Sequence, residues 1–358
     1  MSSIIGENIK ISLFGESHGP LVGATIVGLE AGIKIDEDFI KYQMKLRQAN
    51  DDLSTARQEE DEVKIVSGVF NGYTTGAPLT VIIENKNIKS DDYPKMFRPG
   101  HADYTAELKY YGYQDYRGGG HFSGRLTAPL VALGSIAIQL LNSKNIIIGS
   151  HIKNIHNIED DEIDFKNLDQ YFLKVNNQIF PVLNSSKKEL MIKEIEVAKE
   201  NLDSVGGIIE TVVKINPTIG EPFFNSIESK ISQYLFSIPG VKGIEFGLGF
   251  DFAKYTGHEV NDEFIKEKEV QTLSNNNGGV NGGITNGMPI VFRVVLKPTP
   301  SIGLSQNSID EHFENTTLTI NGRHDPCIVR RARVVVDSLV ALALLDLISL
   351  NESKKWMV

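Results

Sequence analysis

Asp115-Tyr116-Arg117-Gly118-Gly119-Gly120-His121-Phe122-Ser123-Gly124-Arg125-Leu126-Thr127 is the stretch on which the fold turns. Three consecutive glycines between two arginines give a backbone whose N–H groups can cradle anionic oxygens. The apolar helix expected next adds its positive end. Two nucleotide-binding templates nevertheless fail here. Gly119 and Gly124 have Walker A spacing, but Arg125-Leu126 stands where that loop needs Lys-Ser/Thr. The G-x-G-x-x-G pattern lacks its third glycine, and no clear strand precedes it. The loop therefore reads as an anion site outside the P-loop and Rossmann architectures.

The flanking segments point the same way. Ile9–Phe14 and Gly23–Leu29 read as strands. Val63–Phe70 and Pro78–Glu84 alternate apolar and polar residues around Asn71-Gly72, which predicts a hairpin. Gly206–Ile215 and Pro289–Lys297 are further strands. Helices are predicted over 36–47, 127–143, 186–203, 222–235 and 327–350. Val334–Val336 and Leu339–Leu345 make the last of these apolar nearly all round, so it should be buried. Leu126–Ser143 is uncharged, but Thr127, Pro129, Ser135, Gln139 and Asn142 mark a buried helix rather than a membrane span. Hairpins and long helices do not alternate as a βαβ series, so the expected class is α+β in layers. No Pro/Ser linker divides the chain. One domain over 1–358 is expected, with the Asn- and Asp-rich 151–190 as a peripheral excursion.

The net charge is −10 over 358 residues, which argues against a nucleic-acid surface. The single cysteine, Cys327, excludes an internal disulfide and zinc-thiolate clusters; it reads as a core thiol in a reducing compartment. The N-terminus has no basic region followed by an apolar run, so a cytoplasmic location is expected. An acidic protein that binds an anion needs a local cationic cluster. Seven of ten arginines fall in two windows: Arg98, Arg117 and Arg125, then Arg323, Arg330, Arg331 and Arg333. Arginine grips phosphate and carboxylate bidentately.

Titratable groups sit beside these windows. Phe14-Gly15-Glu16-Ser17-His18-Gly19-Pro20 follows a strand and presents His18 on a sharp turn. Arg98-Pro99-Gly100-His101-Ala102-Asp103 holds a cation, a turn and a histidine; Asp103 either orients His101 or caps a helix. Asn276 to Gly287 is a second glycine-rich loop, without charge, open to close approach by backbone or a cofactor ring. Lys297-Pro298-Thr299-Pro300-Ser301 is a rigid turn after a strand. In Gly322-Arg323-His324-Asp325-Pro326, Asp325 either caps the last helix or is held ionised by nearby cations.

These blocks, in this order and spacing over nearly the whole chain, resemble the chorismate synthase family. The resemblance implies a β-α-β sandwich, a homotetramer and a carbon–oxygen lyase. The implied reaction is an anti-1,4-elimination of phosphate from 5-enolpyruvylshikimate 3-phosphate, an anionic ester, with reduced FMN as cofactor. It assigns His18 to protonating the leaving phosphate, His101 to the reduced flavin, and Asp325 to proton removal. It carries FMN contacts onto His121, Phe122, Ser123, Gly240, Gly282, Lys297, Pro298, Thr299, Pro300, Ser301 and Arg323. Arg47, Arg98, Arg117 and Arg125 are expected to bind substrate.

One segment departs from the family pattern. Leu46 stands where the family carries one arginine of a pair, and Asp51 and Asp52 lie near a later basic position. This argues against a strong nicotinamide phosphate (NADP) site there. The alternative function is a catalytically degenerate binder of flavin or a phosphate metabolite; such a binder has no use for three titratable groups beside an anion site.

Overall fold

The structure is a computed structural model and describes residues 3–48, 61–86, 96–266, 269–320 and 325–355. Two five-stranded sheets enclose a layer of helices. The first sheet is formed by β1 (Ile4–Ile5), β2 (Lys10–Gly15), β3 (Leu21–Val27), β4 (Lys64–Ser67) and β5 (Leu79–Glu84), in the order β1-β2-β3-β5-β4. The second is formed by β6 (Ile147–Ile155), β7 (Ile158–Glu159), β8 (Gly207–Lys214), β9 (Val241–Phe246) and β10 (Ile290–Leu296), in the order β9-β10-β8-β6-β7. Every pairing in both is antiparallel.

The helices are α1 (Glu37–Arg47), α2 (Asp103–Tyr110), α3 (Thr127–Ser143), α4 (Leu168–Asn176), α5 (Ser185–Glu200), α6 (Ile227–Leu235) and α7 (Val329–Lys354). Helix α3 touches β3 and β5 on one side and β6 on the other, and it packs along α7. Helix α7 lies on β6 and β8. Both are apolar enough to cross a membrane by length and composition, yet both are mostly buried inside the sandwich. One buried cluster runs from Ile11 on the first sheet to Leu347 on α7.

Local chemistry explains the boundaries that matter. Asp36 caps α1 by accepting from the Phe39 amide at 3.0 Å, and Glu37 and Asp38 complement the helix dipole. Asn71 and Gly72 both adopt positive φ, as a tight hairpin turn requires; they join the short strands Val69–Phe70 and Tyr73–Thr74, which lie in the chain between the paired β4 and β5. The buried carboxylate of Asp346 on α7 accepts the amides of Glu7, Asn8 and Ile9, fixing the β1–β2 turn to the helix layer.

The expected strands and helices are present with ends shifted by a few residues. Helix α6 begins at Ile227 instead of 222, because Pro222 opens a short 3₁₀ turn over Phe223–Asn225. The range 151–190 is not uniform. Residues up to Ile155 complete β6, paired with β8, and α4 covers that sheet through Tyr171, Phe172 and Val175. Strand β6 eludes the periodicity because His151 and Lys153 interrupt its apolar run. They stay buried by facing a cross-strand row in which His151 pairs with Glu210, Glu210 with Arg293, and Arg293 with Glu245.

Candidate active site

The glycine loop is the floor of the site. Gly118, Gly119 and Gly120 have φ of 57°, 84° and 51°. A Cβ on Gly118 would lie 1.9 Å from Cε1 of His18, and one on Gly119 would lie 3.0 Å from Cε1 of His101. Two histidines from distant segments therefore pack over consecutive glycines; a side chain at Gly118 would overlap His18, and at Gly119 the φ of 84° is what favours glycine. The Ser17 amide donates to the Gly120 carbonyl at 3.1 Å, which seats the His18 turn on this floor.

His101 is oriented by Asp103, whose Oδ1 lies 2.7 Å from Nδ1. Asp103 is the first residue of α2 rather than its cap, which settles the two readings of that residue in favour of orientation. It also receives Arg98 through Nε and Nη2, both at 2.7 Å. Burial pushes the Asp103 carboxyl up, but the hydrogen bonds from Arg98 and His101 outweigh it and hold the group well below the usual range.

The remaining segments close a ring around the floor. Lys297 Nζ donates to the Gly100 carbonyl at 2.5 Å, and a Cβ on Gly100 would touch Pro300. The Lys297 amide donates to Gly240, so those two expected cofactor residues are neighbours. Burial and Lys242 lower the Lys297 pKa. Ser204 Oγ donates to the Thr299 carbonyl at 2.7 Å, and the Val205 amide donates to the Pro326 carbonyl at 2.8 Å, bringing Asp325 alongside. Burial raises the Asp325 pKa despite its ion pair with Arg331.

The arginines arrive already paired. Arg117 forks onto Asp115 at 2.8 and 2.9 Å. Arg47 and Arg125 are both buried and share Asp61. Arg47 also donates to Thr127 Oγ1 at 3.0 Å and the Gly124 carbonyl at 2.9 Å. Arg333 lies inside the fold against Asp337 at 2.9 Å. Around the floor the cations Arg47, Arg98, Arg117, Arg125, Arg331 and Lys297 outnumber their carboxylate partners Asp61, Asp103, Asp115 and Asp325. Such pre-paired guanidinia are held in place before a ligand arrives, so binding does not have to order them.

Other expected residues have local partners. His121 contacts the Gly15 carbonyl through Nδ1 at 3.1 Å and Ser3 Oγ through Nε2 at 3.4 Å. Phe122 lies beside Tyr110, and Ser123 caps the following turn by accepting from the Arg125 amide. Gly282 belongs to a hairpin held against residues 219–227, and its own Cβ direction is open. Arg323 and His324 lie outside the described residues, as do Asp51 and Asp52. Leu46 points into the main core. Cys327 is buried, which pushes its thiol up to about 12, as expected of an inert core thiol. Sequence reasoning missed Asp61 and Asn85: the first lies in an acidic run that reads as solvated surface, the second at a strand end.

The family model described as chorismate synthase matches residues 9–349. A chorismate synthase of Pyrococcus abyssi is 44% identical over 347 residues, covering 95% of this chain and 96% of that protein. One from Dehalococcoides mccartyi is 42% identical over 354 residues, covering 97% and 96%. A crystal structure of chorismate synthase superposes with a TM-score of 0.78 at 29% identity, covering 97% of this chain and 93% of that one. With its layered fold, glycine floor and paired histidines, the chain belongs to the chorismate synthase family.

Proposed function

We propose that the chain removes phosphate from 5-enolpyruvylshikimate 3-phosphate to form chorismate, with reduced FMN bound beside the substrate. The observation that carries this reading is the packing of His18 and His101 over Gly118 and Gly119, inside a ring with excess positive charge. In the reaction a C–O bond to phosphate and a ring C–H bond break and a new C=C bond forms, so no net oxidation occurs. His18 is the proton donor to the departing phosphate. Asp103 fixes the orientation of the His101 ring. Asp325, raised by burial, is a stronger proton acceptor than an exposed carboxylate. Lys297 and the paired arginines neutralise the ester's anionic groups in a site partly shielded from water.

The residues present fit a flavin. The buried Thr299 Oγ1 has no partner among the described residues, and Lys297 lies two positions away. Thr299 and Lys297 would offer a cofactor's phosphate a hydroxyl and a cation. His121, Phe122, Ser123, Gly240, Gly282 and Lys297 to Ser301 would hold the cofactor. When bound, reduced FMN supplies transient electron density and assists loss of the ring hydrogen. We read the chain as one domain, working as a cytosolic homotetramer. The test is an anaerobic assay with dithionite-reduced FMN and the enolpyruvyl ester, following phosphate and chorismate. Chorismate formed only with reduced flavin supports the reading; tight binding of both ligands without turnover points to a degenerate binder and overturns it.

A further inference from the structure

Asp61 joins three segments that are far apart in the chain. Its Oδ2 takes Arg47 Nη1 at 2.9 Å, and its Oδ1 takes Arg125 Nη1. All three side chains are buried. Two guanidinia this close repel unless an anion lies between them, and the Asp61 carboxylate is that anion. From each arginine the contacts continue outward. Arg125 Nε donates to Asn85 Oδ1 at 3.0 Å. Asn85 Nδ2 donates to the carbonyls of Glu16 and Gly19 at 3.0 and 2.8 Å, bracketing the Ser17-His18 turn. In the other direction, the Arg47 carbonyl accepts from Arg331 Nε at 3.0 Å, and Arg331 pairs with Asp325. One polar chain thus runs from the His18 turn to Asp325 with Asp61 at its middle.

We propose that Asp61 is a positioning residue for the site. It holds Arg47 and Arg125 side by side, sets the His18 turn and Asp325 relative to each other, and leaves the Arg47–Asp61–Arg125 group with one excess positive charge for the anionic substrate. This rests on the elimination reading above. The test compares full-length wild type with Asp61→Asn and Asp61→Glu. Asparagine cannot offer two anionic oxygens, so KM for the enolpyruvyl ester should rise about tenfold or more, the worth of a lost charge-assisted contact. The dissociation constant of FMN should move by less than about twofold, since Asp61 pairs with Arg47 and Arg125 and not with the side chains expected to hold the flavin. Glutamate keeps the charge and should recover most of the loss, a rescue that a purely packing role would not give.

An unchanged KM in folded Asp61→Asn overturns the proposal. So does a parallel loss of ester affinity, flavin affinity and melting temperature in both variants. Should Asp61→Asn fail to fold, Asn85→Ala breaks the link between Arg125 and the His18 turn; it should lower kcat/KM, and a wild-type value sinks the idea. Absence of turnover in the wild type would undo the reaction, while calorimetric binding of the ester to wild type and variant would still report on Asp61.

Discussion

Glu210 sits on β8 in the cross-strand row of the second sheet, about 4% exposed. Its Oε2 lies 3.7 Å from His151 Nε2, and Arg293 approaches its Oε1 at 3.8 Å. The nearby cations are engaged elsewhere: Arg293 with Glu245 at 2.7 Å, Lys153 with Glu162 at 2.6 Å and Glu159 at 3.4 Å. Burial therefore outweighs their attraction and pushes the Glu210 carboxyl from 4.5 up to about 7. The folded state binds this proton more tightly than the unfolded chain does. The stabilisation it gives is fully present below pH 4.5, fades as the pH rises, and is gone above about 7. That displacement is worth roughly 3 kcal/mol.

His151 complicates the total, because burial and Lys153 lower its pKa from 6.5 to about 3. Its contribution is present above 6.5 and is lost as the pH falls, opposing Glu210 between 4.5 and 6.5. A difference between two proteins removes that term. Glu210→Gln keeps the shape and cannot ionise. Relative to wild type, its stability should rise by roughly 3 kcal/mol between pH 4.5 and pH 7.5. Urea unfolding followed by circular dichroism across that range, at fixed ionic strength, measures it. A flat difference would refute the desolvation argument. A variant that loses ground as the pH rises would show an ionised Glu210 stabilised by its cations.

Three other outcomes are expected. His18→Ala or His101→Ala should cut turnover about 10²–10⁴-fold with the fold intact, as for loss of a general acid or of a hydrogen bond to the flavin; near-normal steady-state rates in both would remove them from the mechanism. Gly118→Ala places a methyl carbon 1.9 Å from His18 Cε1 at a φ of 57°, so activity should fall as far as in His18→Ala while the circular dichroism spectrum is kept. Asp346→Ala strips the acceptor from the amides of Glu7, Asn8 and Ile9 and should cost about 3 kcal/mol or more in denaturant unfolding; a loss confined to a few tenths would mean that water replaces the carboxylate.

The sequence reveals local elements better than it reveals partners. Alternation and the Asn71-Gly72 turn locate β4 and β5, and apolar content alone identifies α3 and α7 as interior helices. The glycine run marks the floor, because only close approach explains three such residues together. Pairing across the fold leaves no local trace. Arg47 and Arg125 look like free grips for an anion until Asp61 is seen between them. His151 and Lys153 look like surface residues until the register sets them against Glu210, and Asn85 becomes meaningful only through the carbonyls it reaches on the His18 turn.

Helix α7 forms the heart of the sandwich, lying against α3, α6, β6 and β8, and it carries Arg331 into the site. It is also translated after every strand it packs on. Until residue 354 or so has emerged, the second sheet lacks the helix it packs on, and Asp325 lacks its guanidinium. Until then the nascent chain carries sheet surface that this helix will later cover. A stop before residue 329 would remove the middle of the protein rather than trim its edge.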